Sequence, residues 1–320
     1  MIVEKKINQF FLFFAFMLPF LLVYFFIFIL SMDTALDRLE YIKLMNVDLK
    51  TRVEPMLPLV SSIFDPLISE PFYKLITIQF VFFILFLVSL FNYFNPNDLN
   101  SLAKTFFALL LCLIVFSNPL GVQLRIGYAT ILFIFIIINF KKPYFFLIIP
   151  LFMHYGVVFA ILFFIYFSIF NINNKWRFIY NSFFSLLSLT VFFIYIEDFF
   201  RMIGVSAYYY NYLNEENSFG RSFPYSVIFY LMICCLLLYF FKDKKDKYFW
   251  FSLSGLWLVY VGFVLDFYLA FKMLVPISLF ALIYLLKFFP NERNPYIYLI
   301  AAYIFSPLAF LYFAIQVDII

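Results

Sequence analysis

Apolar runs about as long as a membrane crossing recur from one end of the chain to the other, separated by short polar breaks. A helix needs about 20 apolar residues to cross ~30 Å of hydrocarbon. The pattern predicts helices at roughly 10–31, 73–93, 104–118, 126–140, 144–155, 156–171, 178–196, 224–241, 248–265, 268–287 and 296–314. The expected fold class is all-α: a polytopic integral membrane protein with about 10–11 transmembrane helices, forming a single transmembrane domain over 1–320. Two longer polar segments, 32–72 and 197–223, are predicted as outer loops. The first mixes Asp33, Asp37, Glu40, Glu54, Asp65 and Glu70 with apolar Met56-Leu57-Pro58-Leu59-Val60, a pattern of short amphipathic pieces lying on a membrane surface. Near 144–156, Pro150 and Gly156 flank His154 and predict a helix that stops part-way and turns back.

Composition narrows the class. The chain is 66% hydrophobic and 12% charged, with 54 Phe, 25 Tyr and a mean hydropathy of +1.01, more apolar surface than one soluble core of 320 residues can hide. The first run follows Glu4-Lys5-Lys6, exceeds a signal-peptide core and lacks a small-residue cleavage site, so it is expected to be a retained helix. Cys112, Cys234 and Cys235 lie in apolar runs without metal-type spacing, which fits ordinary packing. There is no Gly-rich phosphate loop, no HExxH and no GxSxG, which argues against a soluble nucleotide-fuelled enzyme. No tight carboxylate or histidine cluster is visible, so neither a metal nor a cofactor is expected.

Charge orients the spans. With the N-terminus inside, thirteen of the 22 basic residues fall on short cytoplasmic segments, among them Lys104, Lys141, Lys142, Lys175, Lys247 and Lys287. Most of the 18 acidic residues fall on the other side. This agrees with the positive-inside rule and calls for no nucleic-acid partner.

Ionisable residues inside apolar spans are the candidate chemistry, since each costs roughly 2.5–3.5 kcal/mol at the bilayer centre on insertion scales. Arg125 opens an otherwise apolar span, and His154 is the only histidine. From the Lys141-Lys142 turn, helix geometry carries the chain about 22 Å to Arg125 and about 17 Å to His154, placing both in the outer half of the membrane on antiparallel neighbours. His154 reads equally as a hydrogen-bonded core histidine, and Lys272, beside Pro276, as a lysine snorkelling to the outer surface. Asp33 and Glu54 are carboxylates that could serve as a base or merely solvate a loop. Arg201 and Arg221 are loop cations. Tyr208, Tyr209 and Tyr210 either offer aromatic faces to a ligand or belong to an interfacial tyrosine belt.

Several of these residues together resemble the EpsG/Wzy-type polymerases of bacterial exopolysaccharide, capsule and O-antigen. The resemblance rests on Asp33-Thr34 after the first span, Arg52-Val53-Glu54-Pro55 late in the first outer loop, Gln123-Leu124-Arg125 with Ala129, and His154 in Phe152-Met153-His154-Tyr155-Gly156. The chain departs from the family's pattern in three places. Lys272 stands where a late arginine is common, Gly156 where a small hydroxyl residue is common, and Met-Leu-Pro follows the Glu-Pro. The resemblance implies a polymerase at the outer face of the bacterial cytoplasmic (inner) membrane. It would join oligosaccharide repeat units linked through diphosphate to undecaprenol, working beside a flippase and a chain-length regulator. It further implies Arg125, Glu54, Asp33 and His154 as reacting residues and Arg221, Lys272, Tyr209 and Arg201 as substrate-binding ones. A flippase for the same lipid-linked oligosaccharide and a membrane O-acyltransferase are the competing readings.

Overall fold

Proline, asparagine and aspartate set the helix ends in a chain whose helices are mostly apolar. The computed structural model describes residues 2–24, 41–42, 56–117, 119–120, 123–172, 174–195, 198, 225–241, 246–265, 268–289 and 294–316. Among the described residues the secondary structure is helical, with no strand. The helices are α1 (Ile2–Tyr24), α2 (Met56–Phe64), α3 (Pro71–Phe94), α4 (Leu99–Val115), α5 (Leu124–Asn139), α6 (Ile148–Met153), α7 (Val158–Ile169) and α8 (Lys175–Ile194). They continue as α9 (Tyr225–Phe240), α10 (Lys247–Leu253), α11 (Gly255–Val264), α12 (Tyr268–Met273), α13 (Val275–Phe288) and α14 (Tyr296–Gln316). Among the described residues, four stretches are long and apolar enough to cross a membrane by length and composition: Pro71–Phe94, Lys175–Ile194, Lys247–Val264 and Ala270–Phe288.

The caps show how the sequence ends one helix and starts the next. Pro71 opens α3, where its missing N–H costs nothing. Asn95 closes α3 at φ 48°, its N–H bonded to the Phe91 carbonyl. Three residues on, the Asp98 carboxylate accepts from the Ser101 N–H at 2.6 Å while the Asp98 N–H donates to Ser101 Oγ at 3.1 Å. That reciprocal box starts α4.

The chain divides into two compact units, Met1–Val157 with Leu286–Ile320, and Val158–Leu285. In the first, α3 and α5 run parallel. Phe82 of α3 stacks on Tyr128 of α5 with ring centroids 4.2 Å apart and planes within 10°. Ten residues further along α3, the Asn92 side chain donates to that of Asn139 at the end of α5. Helices α1 and α14 pack on α4, where the Phe106 ring meets Phe16 and Phe91, each 5.5 Å away. At the same end as Asn92, the buried Lys104 ammonium donates to the carbonyls of Lys287 (2.9 Å) and Phe289, at the C-terminus of α13. Lys287 in turn sits 3.9 Å from the centre of the Tyr93 ring. A cation therefore closes carbonyls that have no partner inside their own helix, where the helix dipole is negative.

In the second unit, Trp257 of α11 stacks on Phe167 of α7 and Phe178 of α8, with centroids 5.7 and 5.6 Å away. Its indole N–H donates to Ser182 Oγ at 3.0 Å. The Tyr230 hydroxyl, wholly buried on α9, donates to the Ser252 carbonyl at 2.7 Å, where α10 gives way to α11. Gly262 lets Phe271 of α12 lie flat on α11; a Cβ there would come within 2.4 Å of that ring.

Replacing Lys104 by Met keeps the stem and removes the ammonium, leaving two carbonyls at the end of α13 unpaired. The protein in nanodiscs is expected to lose about 1–3 kcal/mol of stability, read as a lowered thermal midpoint. An unchanged midpoint would contradict this role.

Candidate functional site

Arg125 lies in the first turn of α5, half-buried, with its guanidinium carbon 5.6 Å from the centre of the buried Tyr41 ring. The position does nothing for the helix. A helix N-terminus is already positive, so a cation there opposes the dipole. A guanidinium at a helix N-terminus favours an anion.

The local sequence forces α5 to begin where it does. A Cβ on Gly127 would lie 2.2 Å from the Pro119 carbonyl oxygen and 3.1 Å from the Leu120 Cα. Only a glycine lets the second turn of α5 press against the backbone that leads into it. That contact fixes the height at which Arg125 emerges.

His154 sits at a break in the backbone. Its N–H closes α6 by bonding to the Pro150 carbonyl at 3.0 Å, and its own backbone is extended, at φ −165° and ψ 133°. A short 3-10 turn, Tyr155–Val157, then leads into α7. The imidazole folds back so that Nδ1 accepts the Gly156 N–H at 2.8 Å. A neutral ring with Nδ1 accepting carries its proton on Nε2, so the remaining nitrogen is a donor. Gly156 leaves room for the same geometry: a Cβ there would meet both His154 Nδ1 and Ile126 Cδ1 at 2.7 Å. Ile126 is the residue after Arg125, so the His154 break rests against the first turn of α5. The two elements that carry Arg125 and His154 adjoin.

Lys74 shares this end of the first unit. Only 8% exposed, it pairs with Asp65, tying the turn after α2 to the start of α3. Five residues further along α3 lies Gln79, 3% exposed, with neither amide atom hydrogen-bonded among the described residues. An amide buried in that state costs about 1–3 kcal/mol per unsatisfied group. Sequence reasoning passed over Gln79 because it sought ionisable groups. The available signal was an uncharged amide alone inside the apolar run Leu75–Val81.

Lys272 belongs to the second unit, half-buried in the last turn of α12, where a cation complements the helix dipole. The helix breaks just after it: the Leu274 N–H bonds to the Phe271 carbonyl, and Pro276 enters in the first turn of α13, where no N–H is needed. Asp33, Glu54, Arg201, Tyr209 and Arg221 lie outside the described residues. Among the described residues no group of three His, Cys, Asp or Glu could hold a metal ion. No protein family, curated protein or solved structure matches the chain.

The two glycines predict a graded outcome. Gly127→Ala meets a backbone carbonyl and is expected to cost about 1–3 kcal/mol, as overpacking does. Gly156→Ala meets two side-chain ends that can swing away, and is expected to cost less while freeing His154 Nδ1. Thermal midpoints in nanodiscs would rank the pair, and the reverse order would refute the packing argument.

Proposed function

We propose that this chain is a polytopic membrane glycosyltransferase that polymerises oligosaccharide repeat units carried on undecaprenyl diphosphate, working at the outer face of a bacterial cytoplasmic membrane. The observation that carries the reading is the pairing of Arg125, at the positive end of α5, with the His154 break against the same helix turn. A departing diphosphate gains negative charge in the transition state, and such a constellation holds negative charge best when its donors are fixed beforehand. The outward faces of the long apolar helices support a bilayer setting. Phe183, Leu187 and Ile194 of α8 are 69%, 56% and 56% exposed, surface that hydrocarbon accepts and water does not.

In the proposed reaction, a hydroxyl at the non-reducing end of one lipid-linked unit attacks the anomeric carbon of the chain held on another. The new C–O bond forms as the bond from that carbon to the diphosphate oxygen breaks. The electron pair leaves with undecaprenyl diphosphate, and the hydroxyl proton passes to a carboxylate. Arg125 binds the departing diphosphate through two parallel hydrogen bonds. His154 has only Nε2–H to offer in its folded-back rotamer, so it donates to an anionic oxygen and is not the base. Glu54 is the first choice for the base and Asp33 the second. Arg221, Lys272 and Arg201 are the further cations available to lipid-linked phosphate, and Tyr209 is an aromatic surface for sugar rings.

In a deletion strain complemented with variants of equal membrane abundance, Arg125→Ala and Arg125→Lys are both expected to abolish polymer while single repeat units still reach the final acceptor. Normal glycan ladders from both would remove Arg125 from the mechanism. Loss of single units as well as polymer would point instead to transport of the lipid-linked unit. Glu54→Gln keeps the shape and removes the charge, and polymer is expected to be lost. Full polymerisation in that variant excludes Glu54 as the base.

A further inference from the structure

Gln79 is a buried polar side chain that neither the packing of its unit nor the reaction just described uses. It is 3% exposed, and both ends of its amide lack a hydrogen-bond partner among the described residues. A buried amide in this state calls for a partner, and a bound ligand can supply one.

Helix register says what it would meet. Helices α3 and α5 run parallel, pinned at Phe82–Tyr128 and again at Asn92–Asn139. Gln79 lies three residues before Phe82, and Arg125 three residues before Tyr128. At 1.5 Å per residue the two reach the same height, and a three-residue step keeps each on the face that bears its stacked ring. Packed helix axes lie about 8–10 Å apart, so the two residues stand at one level of the seam between α3 and α5.

We infer that Gln79 is a substrate-binding residue of the Arg125 site, holding a glycosyl diphosphate at the junction between sugar and phosphate. This inference rests on the reading given under Proposed function. An amide with both ends to satisfy needs a ligand that accepts at one point and donates at another. An ionised diphosphate only accepts. A glycosyl diphosphate does both: a phosphate oxygen takes the Nε2–H bond, and a hydroxyl of the first sugar donates to Oε1. Arg125 supplies charge, and Gln79 supplies direction and tells a loaded carrier from a bare one.

The test uses the full chain in nanodiscs, titrated with undecaprenyl diphosphate and with undecaprenyl-diphosphate-linked N-acetylglucosamine, with thermal midpoints measured in the absence of lipid. Gln79→Met fills the same space without polar atoms. It is expected to keep or raise the ligand-free midpoint and to bind the glycosylated lipid about tenfold more weakly, the loss of one or two hydrogen bonds. Gln79→Glu keeps the shape, places a negative charge beside the diphosphate, and is expected to weaken both lipids. If the wild-type protein binds neither lipid, the diphosphate reading falls and Gln79's role falls with it. If the wild-type protein binds and Gln79→Met binds equally well, the Gln79 assignment alone is overturned. A Gln79→Met midpoint well below wild type with affinity per folded molecule unchanged also overturns it, as the mark of a purely structural amide.

Discussion

The first unit depends on one close approach, between the second turn of α5 and the carbonyl of Pro119. Nothing larger than hydrogen fits on Gly127. Because α5 is seated against the backbone that precedes it, its first turn cannot slide, and Arg125 emerges at a fixed height. The stacked Phe82 and Tyr128 then transfer that height to α3, while Ile126 transfers it to the His154 break. Three chain segments distant in sequence thus share one level because a single backbone contact sets it. Where helices are apolar on every side this kind of contact carries particular weight, since a uniform apolar surface does not choose one neighbour over another and close packing has to do so.

The first unit is polar at both ends and apolar between them, and the two ends differ in kind. Around Asn92 and Asn139, cations meet backbone carbonyls and an aromatic ring, as Lys104 and Lys287 do. These contacts complete the structure within itself. At the other end, Arg125 opposes its own helix dipole and Gln79 holds an amide in a dry setting. Stability alone does not select such features, and proteins accept local cost of this sort where a ligand recovers it.

The positions of several elements were legible in the sequence because the length of an apolar run and the prolines and glycines beside it are local signals, while α1 and α4 begin eight and five residues before their predicted starts. The predicted span at 73–93 is α3, and that at 126–140 is α5, each within two residues. The break around His154 was legible from Pro150 and Gly156, although the reason for Gly156 was not: the imidazole returns onto its amide. Pairing between helices was not legible. A span apolar on every side gives no preferred face, so nothing in the pattern said that α3 lies parallel to α5 or that Phe106 meets Phe16. Lys104 was counted as a cytoplasmic charge, which hid its bonds to carbonyls more than 180 residues later in the chain. Gln79 was missed because polarity without charge barely marks an apolar run.

The first unit is also discontinuous, built from the beginning of the chain and its last 35 residues, with the second unit inserted between them. Helix α14 lies on α1 and α4, and the Tyr303 hydroxyl on α14 donates to the Ala15 carbonyl of α1 at 3.0 Å. During synthesis, helices α1 to α6 therefore leave the ribosome long before the segment that completes their packing. The inserted unit can close on contacts already made, while α1 and α4 wait with a face uncovered until α14 has been made. For this chain the time at which the first unit becomes whole is set by its last helix, and a nascent chain stalled before that helix would carry the Arg125 turn in a half-built wall.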